Sequence, residues 1–230
     1  MLLVGCSGGA GVVQSSTSLV GSARIRFPDP DPGSSDSVRL GRVVAGAKAI
    51  PTGFQPSPFS INLLSHTGCQ NVVAARKPSG AAFLEFIRVS DLDRGHPATR
   101  LAAAALAYPD AAAAAQAFNV LSRGLSSCKP PAVPAGGETI SVSAHLLRPP
   151  TYAPTLSVEV ETSGVSKLPG SRTGFDSADV FFISRSGRTI VLTGSFESRS
   201  STDPESSGMS VGPSVRLAVE QVQRSILSEL

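Results

Sequence analysis

Apolar residues alternate with polar ones along residues 139–147, where Ile140, Val142, Ala144 and Leu146 share one side. Residues 155–161 repeat the pattern with Leu156, Val158 and Val160. A period of two predicts half-buried strands. Residues 179–184 and 189–196 are strand-like and flank Arg185-Ser186-Gly187-Arg188, a sequence suited to a hairpin turn. Residues 83–89 also read as a strand. The run Leu101-Ala102-Ala103-Ala104-Ala105-Leu106-Ala107 favours a helix by propensity alone. Pro109-Asp110 follows at once and begins a helix of its own, so residues 100–108 are expected as a strand. That helix is predicted from 109 to about 122, placing Ala112, Ala115, Phe118, Val120 and Leu121 where several can face a core. Near the end Val215, Ala218, Val219, Val222, Ile226 and Leu230 recur at helical spacing, with Arg216, Glu220, Gln223 and Arg224 between them.

Other stretches read less sharply. Val38, Leu40, Val43 and Val44 fit either a short strand or a short helix, and residues 50–54 form a turn. Residues 63–76 read as a short helix or irregular turn, and residues 90–97 as a loop. Six strands in series, with one helix in the middle and one at the end, predict an α+β domain. Its sheet of about five to six strands is expected to be largely antiparallel, with the two main helices packed on one face. Residues 1–37 are rich in Ser, Gly, Pro and Asp, and the run from Phe27 to Asp36 suits neither helix nor inner strand. They read as a linker, leaving residues 38–230 as a single domain.

Composition narrows the function. Hydrophobic residues make up 41% of the 230-residue chain, enough for a sizeable core, while charged residues are only 16%. The net charge of +3 is spread along the length, with aromatics at 5% and no Trp. A nucleic-acid binder concentrates basic residues on one face and interleaves aromatics. Here the basic groupings, Arg24/Arg26, Arg39/Arg42 and Arg185/Arg188, are pairs only, so no nucleic-acid partner is expected.

The N-terminus is more telling. Leu3-Val4-Gly5-Cys6 resembles the bacterial lipobox, in which a small residue precedes the cysteine that is lipidated. Ser7-Gly8-Gly9-Ala10-Gly11 behind it suits a flexible tether. Cys6 is thus the expected lipid attachment site, with the membrane as a partner and the outer face of the cell membrane as the address. A secretory signal needs an apolar stretch of about 7–15 residues, and only Met1-Leu2-Leu3-Val4 stands before the cut. Either the start codon lies upstream of Met1, so that this is a signal-peptide remnant, or the match is by chance and Cys6 is idle in a short tail. With Cys6 set aside, Cys69 and Cys128 remain as an even pair, expected to form a disulfide in an oxidising compartment. A bridge over that loop would stabilise by about 4 kcal/mol on the chain-entropy model. The alternative is two separate buried thiols.

Catalytic and metal chemistry is weakly signalled. His66, His96 and His145 are scattered along the chain. Asp91, Asp93 and His96 share a loop but lack the regular oxygen spacing of a calcium site. Gly8 to Gly11 lack the Lys-Ser/Thr of a phosphate loop. Glu159 and Glu161 lie two apart, on one face of a strand. No catalytic residue, metal ligand or cofactor is expected, and no ligand-binding residue is assigned.

Several features follow one another in a familiar order. They are the lipobox, the Ser/Pro linker, Leu63-Leu64 with Cys69 and Val72, and the Tyr108-Pro109-Asp110 junction running to Ala114. Cys128 after the helix, the hairpin run from Arg185 to Val191 and the last amphipathic helix complete it. Together they resemble actinobacterial, including mycobacterial, surface lipoproteins whose domain is similar to the extracellular sensor domain of PknH-type serine/threonine kinases. The likeness would span residues 49–230. It implies a twisted antiparallel sheet with two helices forming an open cleft, and an extracytoplasmic binding or sensing domain without enzymatic activity. The chain departs in offering one disulfide where those domains usually have two, and Leu125-Ser126-Ser127 where many have a Trp. The expected function is a lipid-anchored sensing or ligand-binding domain, for an unknown small molecule, lipid or envelope protein. The alternatives are a structural or accessory envelope lipoprotein that binds another protein and, ranked last, an envelope hydrolase.

Overall fold

A computed structural model describes residues 31–46, 52–56, 77–88, 99–126, 139–147, 157–167, 174–201 and 211–230. Along the chain they form α1 (Ser35–Ala45), β1 (Phe54–Pro56), β2 (Gly80–Arg88), β3 (Thr99–Ala107), α2 (Ala111–Ser126), β4 (Thr139–Leu147), β5 (Ser157–Lys167), β6 (Gly174–Ser186), β7 (Thr189–Ser201) and α3 (Pro213–Ser228). The strands join in one sheet of order β1-β2-β3-β7-β6-β5-β4. Every neighbouring pair is antiparallel. The class is α+β, as expected.

The topology follows from one long step. After β3 the chain passes through α2 to the far edge strand β4, then returns as a meander through β5 and β6 until β7 pairs with β3. Helix α2 therefore crosses one face of the sheet. It buries Ala113, Ala114, Ala117, Phe118 and Leu121 against Ala104, Leu106, Phe181, Ile183, Ile190 and Leu192. The opposite face carries α1 and α3. There Leu40, Val44, Val222 and Ile226 meet Ala103, Ala105, Ala107 and Val191. Val215, Ala218 and Val219 meet Phe86, Leu101, Val180 and Phe182.

The expectation of helices on one face is thus corrected: they cover both. Strand β3 explains why. Its residues from Leu101 onward are all buried, with Ala104 and Leu106 toward α2 and Ala103, Ala105 and Ala107 toward α1 and α3. A strand sandwiched between layers shows no apolar alternation. Small side chains let a helix approach closely from either side.

Two further corrections concern counts and boundaries. Among the described residues the sheet has seven strands rather than five to six, because β1 is three residues long and ends at Pro56, too short for a period to show. The described residues contain three helices rather than two, because α1 begins inside the stretch expected to be linker up to Ser37. Its first turn is polar, so only Leu40 and Val44 reveal its buried stripe. Ser34 ends the proline-rich run as the N-cap, its hydroxyl accepting from the Ser37 N–H at 3.1 Å.

Helix α2 starts at a similar cap, the Asp110 carboxylate accepting from the Ala113 N–H at 2.7 Å. Helix α3 starts at Pro213 after Gly212, whose N–H donates to the Glu197 carboxylate at 3.0 Å. The β6–β7 hairpin closes through Gly187 and Arg188, between the paired Ser186 and Thr189. Gly187 has φ 53°, the left-handed conformation that a tight hairpin requires of glycine.

Candidate functional site

The strand register defines rows of residues across the sheet. One register row runs His145, Glu159, Phe182, Thr193, Ala103 and Leu84 from β4 to β2. The next runs Ser143, Glu161, Val180, Ser195, Leu101 and Phe86. Directly paired residues share a face, so Thr193 stands in one apolar row with Phe182, Ala103 and Leu84, and Ser195 in the next with Val180, Leu101 and Phe86. Helix α3 packs on β7, β6 and β3.

Three polar side chains lie buried on β7 and on the helix α3 that packs over it. Thr193 and Gln223 are 0% exposed and Ser195 is 1% exposed. Neither hydroxyl and neither end of the Gln223 amide has a hydrogen-bond partner. Burying such a group unpaired costs about 1–3 kcal/mol, so three together need a physical reason. Sequence reading missed all three. Ser and Thr are ordinary strand residues, and Gln223 was placed on the polar side of its helix. Its position gave the one available signal: it lies four after Val219 and three before Ile226, both of them buried, hence within the same stripe.

A second polar cluster sits where α1 meets the β6–β7 hairpin. Arg188 grips the Asp36 carboxylate with two parallel bonds, Nη2 to Oδ1 at 2.6 Å and Nη1 to Oδ2 at 2.9 Å. Ser79 donates to Oδ2 at 2.6 Å, and Arg188 Nη1 also donates to the Tyr108 carbonyl at 3.1 Å. The hydrogen bonds from Arg188 and then Ser79 hold the Asp36 carboxyl below its ordinary range, against a smaller opposing effect of burial. Both oxygens are occupied by donors, so this carboxylate is committed to structure rather than to proton transfer. The Tyr108 side chain lies wholly buried in the α2 layer, and burial pushes its phenol up to about 12. Glu85 and Arg100 form an ion pair at 3.7 Å, with Glu85 nearly buried.

Of the residues singled out in the sequence, His145 stands opposite Glu159 in the β4–β5 register, and Glu161 opposite Ser143. Cys6, Cys69, Cys128, His66, Asp91, Asp93, His96 and the Gly8–Gly11 run lie outside the described residues. Among the described residues no group of three or more His, Cys, Asp or Glu is placed to hold a metal ion.

No family model matches the sequence, and no curated protein matches it. Two solved structures are similar to the chain. One is LpqN of Mycobacterium tuberculosis, described as involved in cell envelope biogenesis, at 10% identity and TM-score 0.30 over 78% of each chain. The other is the extracellular domain of PknH from Mycobacterium tuberculosis, at 12% identity and TM-score 0.37, covering 83% of this chain and 90% of that one. They are of the kinds that the sequence motifs resemble. A likeness of this degree says nothing about ligand or activity.

Proposed function

We propose that the chain is an extracytoplasmic, lipid-anchored domain that binds or senses a ligand and has no catalytic activity. The observation that carries this reading is the run from anchor to fold. Cys6 ends the lipobox-like Leu3-Val4-Gly5-Cys6, a Ser/Gly/Pro-rich stretch follows, and the chain enters the domain at an N-cap beside the Asp36–Arg188 clamp. A domain held near a membrane by its first residues needs a firm attachment point at the end of the tether. The double hydrogen bond and the Ser34 and Ser37 contacts supply one. A disulfide between Cys69 and Cys128 belongs to the same proposal, since export would expose both thiols to oxidation.

The test is metabolic labelling. The gene, expressed from its own upstream sequence in a mycobacterial host, is expected to incorporate labelled palmitate, and Cys6→Ala to abolish incorporation. Label retained in that variant overturns the anchor.

One observation favours the accessory, protein-binding alternative. Phe83 is 50% exposed on β2, and β1 pairs with β2 only from Phe86 to Arg88. Among the described residues this leaves the outer edge around Phe83 without a strand partner. Affinity purification that gives one stoichiometric envelope protein from native chain, and none from Phe83→Glu, would favour that reading.

A further inference from the structure

The geometry points to Thr193, Ser195 and Gln223 as a binding slot between β7 and α3 for a neutral polyhydroxyl ligand of the sugar class. This deepens the sensing assignment and rests on it. The first ground is the hydrogen-bond account. Native structures leave few buried polar groups unpaired, and each one that stays so calls for an explanation. Here three such side chains lie on two elements that pack on one another, two on β7 and one on α3. Thr193 and Ser195 are two residues apart on one face of β7, hence roughly 7 Å apart.

The second ground is chemical type. Two hydroxyls and a carboxamide both donate and accept, and none carries a charge. A buried ion would find no opposite charge in this set, and desolvating it there would be prohibitive. A sugar hydroxyl also donates and accepts, and adjacent hydroxyls on one ring present several such groups at once. Phe182 and Val180 are the register neighbours of Thr193 and Ser195, giving an apolar flank for the C–H face of a ring.

The third ground is that an apolar set would serve the fold better. Replacing unpaired buried polar groups by apolar ones of the same shape is neutral or stabilising. A site that gives up stability in the free state and regains it with ligand is a common trade between stability and function. Because the three groups are closed off in this structure, binding couples to a displacement of α3 from β7.

The experiment uses the whole chain, with D-glucose and N-acetyl-D-glucosamine as probes at tens of millimolar. One sugar is expected to raise the melting temperature and to shift backbone amide signals of β7 and α3. The double variant Thr193→Val/Gln223→Met is expected to melt higher than the native chain by about 2–4 °C and to lose the response; Ser195→Ala is expected to weaken it. If the double variant melts lower, the groups are satisfied by bound water and are structural, and the slot is overturned. A response surviving in the double variant, or no response of the native chain to either sugar, overturns it as well. Palmitate labelling reads the anchor independently, so loss of the slot with labelling intact leaves the broader assignment standing.

Discussion

Asp36 joins four parts of the molecule through one carboxylate: its own helix, Ser79 before β2, the hairpin at Arg188 and, through that arginine, the end of β3. Removing the guanidinium leaves a mostly shielded charge. Arg188→Ala is therefore expected to cost about 1–2 kcal/mol, discounted because Arg188 is partly exposed. Arg188→Lys should recover only part of this, since an ammonium cannot make two parallel bonds to a carboxylate. The depressed Asp36 carboxyl gives stability that is fully present above the unfolded value, near 4, and lost as pH falls through the folded one. Urea unfolding from pH 6 down to pH 2 should show this acid loss, reduced in Asp36→Asn.

Tyr108 works in the opposite direction. Its phenol, raised to about 12, favours the protonated folded state. The stability it contributes is complete below about pH 10, the ordinary phenol value, and is lost as pH rises toward the folded value. In a Tyr152→Phe background, absorbance at 295 nm should report tyrosinate forming late and together with alkaline unfolding. Early, separate titration would contradict burial. At Gly194 an added Cβ would overlap the Phe181 ring. Gly194→Ala should cost about 1–3 kcal/mol, as overpacking does, and Phe181→Leu should relieve part of it.

Among the elements, α1 packs closely on β2. A Cβ on Gly80 would lie 2.5 Å from the Ser37 backbone nitrogen, where neither partner can yield by rotating a side chain. Gly80→Ala is expected to lift the N-terminus of α1 and lower the melting temperature by several degrees. Hydrogen exchange should quicken first in α1, while β5 to β7 stay protected.

How far these elements could be read depended on the local signal each carries. The sequences of β4 and β5 alternate visibly, and β6 and β7 are marked by the hairpin run from Arg185 to Arg188 between them. Strand β3 is buried on both faces and does not alternate, and only the Pro109-Asp110 start of the next helix marks it. Helix α2 is legible, and Phe118 and Leu121 are buried as expected. Ala112 and Val120 are exposed while Ala113, Ala114 and Ala117 are buried, because a run of alanines carries almost no phase information. Extensions of β5 to β7 beyond their apolar cores are fixed by pairing with neighbours, which the local sequence does not display. The polar site was the least legible part. Thr193, Ser195 and Gln223 matter because nothing pairs with them, and an unmet hydrogen bond leaves no mark in a sequence.

On the scale of the whole molecule, the proposed bridge between Cys69 and Cys128 has a direct measurement. Thiol titration of the unfolded, secreted protein should find neither cysteine free, and reductant should lower the melting temperature by several degrees. Two reactive thiols with no change in melting would remove the bridge from the proposal.

The long step from β3 through α2 to the sheet's far edge has a consequence for synthesis. The middle of the sheet pairs Thr99 with Glu197 and Ala107 with Thr189, so its last seam waits until both have left the ribosome. Until then β3 offers a bare, alanine-rich edge to any strand nearby. Pairing so distant in sequence closes slowly, and half-made species with open edges invite aggregation. A nascent chain of this topology stays unfinished, with that edge open, until its final quarter arrives.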